Sequence, residues 1–359
     1  VMKDSTNAVF TLKSKLQQRV LDDLNVSYVL LEDGMEIARG DIKDVVLGVG
    51  QTRDVTLAKA KALVTAPQHP EAEYHIRFVA TQKEDTEWAK AGFEVASEQI
   101  LLRAATDRKP YEALGGGKLQ IAETDNAVTI TGDNFSVAFV DGLLTAYTVN
   151  GKNMLAAPLT LQVFRLPTDN ERGRTGTYDR MGIRKLDFTP GNLEVTASKD
   201  KQSATVVAVN SYATSGNNRF TVRQTVDVLA DGVLIVNATV DPLPKGSELP
   251  RLGLRAELPK EYENMTWLGR GPHDSYADRK ESAFVGLHHS RVSEEWTNYV
   301  LPQEQGNKEE VRWIAITDDA GKGLMVVAPE QIAASAGHWR PEDNYIDGGN
   351  RKKHPCEVD

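Results

Sequence analysis

The sequence predicts an all-β fold in two parts, a small sandwich followed by a large double sheet. Apolar and polar residues alternate along many short segments, the period of a half-buried strand. Glycine turns close these segments, as at Glu32-Asp33-Gly34, Asp141-Gly142, Ala230-Asp-Gly232 and Asp319-Ala-Gly321. A tight reversal needs the positive φ that glycine adopts without strain. Apart from one short candidate, no stretch carries the period of a long amphipathic helix.

Residues 8–103 read as one small all-β unit of immunoglobulin-like sandwich type. Residues 26–31 and 35–39 form a hairpin across Gly34. Tyr74, Ile76, Phe78 and Ala80 turn to one face of a strand; His75, Arg77 and Val79 turn to the other, which places His75 in solvent. The segment 85–99 closes the unit, with Trp88 as a core plug. Composition then shifts to AATDRKPYEALGGG. Ordering three consecutive glycines is entropically costly, so a linker is expected there. The domains are therefore expected at residues 1–107 and 118–359, joined by a linker at 108–117.

Beyond the linker, strands follow one another. Phe135, Val137 and Phe139 lead through Asp141-Gly142 into a returning strand over 143–149. Residues 220–228 alternate and return from 234 to 240, and 311–316 with 324–328 repeat the device. Such a run requires two large packed sheets. A helix is expected over 178–186, weakened by Gly182.

Composition excludes several functions. The 359 residues are 40% hydrophobic and 26% charged, as in a globular protein able to bury a sizeable core. A net charge of -9 without a basic run argues against nucleic acid as partner. No apolar run is long enough to span a membrane. The single cysteine, Cys356, excludes an intrachain disulfide and a thiolate metal cluster. The start lacks the basic-then-apolar layout of a secretion signal; with Val1 before Met2 it reads as a segment of a longer chain.

Two stretches are unusually dense. Residues 264–307 hold two of the five tryptophans and three of the seven histidines, more than a surface loop requires. Trp267, Tyr276, Phe284, Trp296 and Tyr299 can anchor a loop-rich crossing over a sheet. In residues 161–176, Pro167 fixes φ and Asp169-Asn170 can bond their own backbone to close a turn. Gly173 and Gly176 then release the chain.

Trp267-Leu-Gly-Arg-Gly-Pro-His-Asp-Ser-Tyr-Ala-Asp-Arg279 and Tyr299-Val-Leu-Pro-Gln-Glu-Gln-Gly306 resemble the signature of the C-terminal sandwich domain of the large bacterial β-galactosidases, glycoside hydrolase family 2. Residues 85–99 resemble the end of the small sandwich that precedes that domain. The 165–170 run is similar to the family's Arg-x-Pro-x-Asp-Asn turn. The resemblance covers about residues 8–355 in family order. It implies a super-sandwich of the galactose-mutarotase type, with a last strand of the domain missing after residue 359. It also implies that Asp169 and Asn170 hold, and Gly173 hinges, a loop at the mouth of an active site. Trp267, Gly269, Gly271, Pro272, Tyr276, Asp278, Arg279, Pro302, Glu304 and Gly306 belong to the family motif and are expected to be structural, Arg279 as an ion pair. Asp274 departs from the family's usual glutamate. Trp339 is expected in the core.

No catalytic residue is assigned. Asn170-Glu171 matches the order of an acid/base glutamate in retaining glycosidases, but the resemblance places that pair on a (β/α)₈ barrel, and no strand-helix alternation of that kind occurs here. His288 and His289, adjacent on a strand, point to opposite faces and cannot easily share an ion. No cofactor or metal is identifiable in this chain; Mg or Ca is an expectation for the parent enzyme only. The resemblance implies a non-catalytic part of a retaining β-galactosidase in the bacterial cytoplasm or periplasm. Its expected partners are the other domains of that enzyme, β-galactoside substrate through the complete enzyme, and a further copy in a homo-oligomer. The alternatives are a carbohydrate-binding module, or a mutarotase-like epimerase with a histidine acid and a glutamate base on one concave face.

Overall fold

The computed structural model describes residues 1–106, 111–174, 178, 180–215, 219–242, 249–297, 299 and 303–343. The fold is all-β. In the first part a three-stranded antiparallel sheet runs in the order Met2–Asp4, Val9–Lys13, Thr52–Thr56. A four-stranded sheet runs Met35–Ile42, Leu24–Glu32, Tyr74–Gln82, Glu94–Arg103. Their inner faces enclose Phe10, Leu30, Tyr74, Ile76 and Phe78. Burying each such side chain stabilises by about 1.5–3 kcal/mol.

Four expectations are corrected here. Ala58–Thr65 is an α-helix within a stretch read as all-β; it buries only Ala60 and has no side-chain N-cap, so it left little pattern to read. Trp88 is not a core plug: it is 65% exposed, with its ring edge-on to Phe93 at 5.6 Å. Asp85 closes that loop by accepting from the Ala91 N–H and Lys90, which turns the aromatic pair outward. His75 does not face solvent either. Alternation places it on the outer face of its sheet, but the second part of the chain covers that face and leaves it 5% exposed. The expected helix at 178–186 ends early: Gly182 takes φ +64° and donates to the Tyr178 carbonyl, and Leu186–Thr189 is a strand.

The described part of the expected linker is held down. The Asp231 carboxylate accepts from the Tyr111 hydroxyl and the Leu114 N–H, and Asp133 accepts from the Gly117 N–H. A Cβ on Gly116, at φ +116°, would lie 2.1 Å from the Ala230 carbonyl oxygen. Glycine is needed there for close approach as well as for φ.

In the second part, one sheet runs Lys152–Asn153, Leu143–Val149, Phe135–Val140, Ala127–Thr131, Gln120–Glu123. It packs on another, ordered Leu186–Thr189, Ser203–Thr214, Arg219–Leu229, Leu234–Asp241, with Leu193–Ala197 also paired to Ser203–Thr214. Phe135, Val137, Phe139, Val206, Val226 and Val228 interdigitate between them. Ala157–Gln162 pairs with Gly253–Glu257. A four-stranded sheet, Phe284–Arg291, Asn264–Gly271, Lys308–Thr317, Gly323–Ala334, carries the dense motif.

This last sheet meets the first part directly. The Gln99 amide donates to the Val285 carbonyl and accepts from its N–H, both at 2.8 Å. The Gly34 turn packs on Leu268 and Leu287 so closely that a Cβ would stand 2.6 Å from the Leu287 nitrogen. Arg312 reaches both oxygens of Glu73, 3.0 and 2.9 Å away, and His75 lies 3.6 Å from the same carboxylate.

Burial holds the His75 pKa below its ordinary 6.5; Glu73 and Glu310 oppose that, while Arg312 and Arg270 reinforce it. Folded His75 therefore resists a proton that the unfolded chain accepts, and the unfolded state binds more protons below about pH 6.5. Stability is expected to fall as pH drops through that value towards the folded pKa. His75→Gln should flatten this dependence in urea midpoints taken between about pH 7.5 and 5.5; an unchanged slope would contradict the assignment.

Candidate functional site

Two turns that the sequence presents separately meet in space. Residues 165–171 follow the Ala157–Gln162 strand and enter a 3₁₀ helix, Asp169–Arg174. The Arg165 guanidinium binds both Glu171 oxygens at 2.8 and 3.0 Å and also donates to the Pro250 and Leu166 carbonyls. Glu171 accepts further from the Thr168 N–H at 2.9 Å and the Tyr178 hydroxyl at 2.7 Å. Burial alone would raise the Glu171 pKa, but the Thr168 N–H, Tyr178 and Arg165 outweigh it and hold the carboxyl below its usual range. A general acid needs the opposite shift. The acceptor sites of Glu171 are spent on closing the turn.

Asp169 and Asn170 are exposed. The Asp169 N–H donates to Gln303 Oε1 at 3.1 Å, which ties this turn to the Pro-Gln-Glu-Gln-Gly turn. Gly173 lies within the 3₁₀ helix. Glu304, next to Gln303, is buried against Arg251. Burial raises its pKa, and Arg251 and Arg165 pull it back. Arg165 and Arg251 thus flank a pair of carboxylates, Glu171 and Glu304, across the two turns. Their partners lie 6 and 53 residues away in sequence, and the longer separation has no local signature.

The remaining motif residues build the support beneath. Trp267 is fully buried and donates through Nε1 to the Arg270 carbonyl. A Cβ on Gly269 would stand 2.9 Å from the Val311 Cα, and one on Gly271 would stand 2.7 Å from the His288 ring, so both positions need glycine. The Pro272 carbonyl accepts from Lys308 at 3.1 Å. Lys308 lies 4.9 Å over the Trp267 ring and 2.7 Å from Glu295. Gly306 takes φ +77°. Burial, then Glu304 and Asp274, push the Tyr276 hydroxyl well above its ordinary range. Ser275 exchanges three hydrogen bonds with Asn307 and Glu309, which pins the Tyr276 turn to the strand. Asp278 is exposed.

Arg279 forms an ion pair, with Asp274 at 3.0 Å, but its side chain is 58% exposed. Such a pair contributes about 0–1 kcal/mol, not the cost of a buried one. His288 packs 5.2 Å from Trp267, whereas His289 bonds Thr266 on the other face. Trp339 packs partly buried, edge-on to Trp296 at 5.1 Å. Pro302 and Cys356 lie outside the described residues. Among the described residues, no three of His, Cys, Asp or Glu gather as a metal site. No helix among them is long and apolar enough to cross a membrane.

The family model for the β-galactosidase small chain matches residues 131–359, and that for β-galactosidase domain 4 matches residues 10–103. Curated relatives include the β-galactosidase of Priestia megaterium, 30% identical over 72% of this chain and 25% of the relative. That of Halalkalibacterium halodurans is 32% identical over 72% of this chain and 26% of its own length. That of Alteromonas mediterranea is 26% identical over 86% of this chain and 31% of its own. The sequence spans about a quarter of the length of the first two.

Proposed function

Since the chain belongs to the β-galactosidase small-chain family, we propose that it is the non-catalytic C-terminal part of an enzyme that hydrolyses terminal β-D-galactosides with retention. Its role is to support the catalytic part and to shape the mouth of that enzyme's active site through the turn bearing Asp169, Asn170 and Gly173. The observation that carries this reading is the state of Glu171. The one glutamate in a catalytic-looking dipeptide is locked by Arg165, Thr168 and Tyr178. Retention needs two carboxyl groups about 5–5.5 Å apart on either side of a glycosidic bond, one of them held protonated. Glu171 is held in its charged form by Arg165, Thr168 and Tyr178, and the Glu304 side chain is 1% exposed against Arg251, so neither carboxyl is open to a glycosidic bond.

The domain division at 108–117 belongs to the same proposal, and two family models that each match one side of it support it. The expected result is that the purified chain does not hydrolyse a chromogenic β-galactoside. Turnover that survives Glu171→Gln would overturn the non-catalytic reading.

A further inference from the structure

The two parts of the chain meet along an edge strand, and a titratable group sits in the contact. Phe284–Arg291 ends its sheet, so the N–H and C=O groups on its outer side need partners from elsewhere. The first part supplies them. The Val285 N–H donates to Gln99 Oε1 at 2.8 Å, and the Leu287 N–H donates to the Gly34 carbonyl at 3.4 Å. Both bonds cross between the parts and belong to neither sheet.

Beside this edge, Glu73 is approached from two sides. Arg312, in the second part, reaches both of its oxygens. His75, in the first part, stands 3.6 Å from Glu73 Oε1, and its Nδ1 is buried without a hydrogen-bond partner among the described residues. The His75 and Arg312 side chains are each 6% exposed, so water screens this competition little. A neutral imidazole makes no claim on the carboxylate, and Arg312 holds it.

The charges around them decide what a proton does. Arg270 and Lys280 share Glu310, at 2.9 and 2.8 Å, and Asp33 on its exposed turn accepts the Glu73 N–H. Protonated His75 gains a partner by taking Glu73 from Arg312. That exchange replaces a contact between the parts with one inside the first part, and leaves Arg312 without its carboxylate. We propose that His75, Glu73 and Arg312 form a proton-operated latch, which releases the small sandwich from the Phe284–Arg291 edge in mild acid while each part stays folded. Burial, with Arg312 and Arg270, opposes the proton in the docked form, against Glu73 and Glu310. The undocked form, where the ring meets water, binds it better, so docking weakens as pH falls below about 6.5.

Exchange of individual amides, followed by NMR on the full chain and expressed as protection factors, tests the latch. Between about pH 7.5 and 5.5 the Val285 and Leu287 amides should lose about 10-fold in protection, as one proton bound with a pKa of about 6.5 can supply. The amides of residues 264–268, paired with a strand on either side, should hold. His75→Gln should abolish the loss, whereas His69→Gln, which removes an exposed histidine bonded to Glu32, should leave it intact. If His75→Gln does not fold, titration of the His75 ring replaces it, because its midpoint must coincide with the loss of protection. Unchanged protection in the wild type overturns the latch. So does a loss shared by residues 264–268, which is unfolding, or one that persists in His75→Gln, which belongs to another group such as His288 against Trp267. None of these readouts involves a substrate, so failure of the latch leaves the non-catalytic reading standing.

Discussion

Arg312→Leu is expected to cost about 3–5 kcal/mol, because it strands a buried carboxylate. Arg312 and Glu73 are 6% and 12% exposed, and the contact, one guanidinium nitrogen to both carboxylate oxygens, spans 239 residues of sequence. The Glu73 backbone is tied to the Gly34 turn on both sides, its N–H donating to the Asp33 carboxylate and its carbonyl accepting from the Asp33 N–H. That turn packs on Leu268 and Leu287, and the loss should therefore spread along the whole contact between the two parts. Urea unfolding should register it twice. The midpoint should fall, and one transition should separate into two as the parts lose their coupling. Arg312→Lys retains charge but cannot reach Glu73 and the Glu310 carbonyl with separate nitrogens as the guanidinium does, and should lie between wild type and leucine. A midpoint for Arg312→Leu within about 0.5 kcal/mol of wild type would mean that the contact holds nothing.

The same contact marks the limit of what the sequence discloses. Strands were legible because their cause is local. Asp141-Gly142 does join Phe135–Val140 to Leu143–Val149, and Ala230-Asp-Gly232 joins Arg219–Leu229 to Leu234–Asp241. Alternation was legible for the same reason, and Tyr74, Ile76 and Phe78 are buried as it requires. It reports which face of a sheet a residue occupies, not what covers that face. His75 was misassigned to solvent because its cover, Arg312, lies far along the chain. Trp88 failed in the opposite sense: a large apolar ring is usually buried, but the Asp85 turn holds this one outside. Of the candidate site, the two turns were recognised as motifs. Their meeting through Gln303 and Asp169 was not, because a hydrogen bond between a side-chain amide and a backbone N–H leaves no pattern in sequence.

Lys308→Met is the second substitution expected to cost about 3–5 kcal/mol, and it separates a structural from a superficial reading of the Trp267 motif. Lys308 is 2% exposed, and its ammonium meets Glu295, the Pro272 carbonyl and the face of Trp267. Methionine keeps the apolar stem against the ring but leaves Glu295, 8% exposed, with the Ser290 hydroxyl as its one side-chain donor among the described residues. If the penalty comes from that orphaned charge, replacing both partners removes it. Lys308→Met with Glu295→Leu should recover most of the loss, because well-packed apolar pairs often match buried ion pairs. Arg279→Ala, in the exposed pair with Asp274, should cost less than about 1 kcal/mol and serves as the reference. A single Lys308 variant no worse than that reference would show that the motif's buried charges are not what holds the turn. A double variant as damaged as the single one would shift the cause from charge to shape. Gly269 and Gly271 would then explain it, since both already pack too closely on Val311 and His288 to tolerate any displacement of the strand.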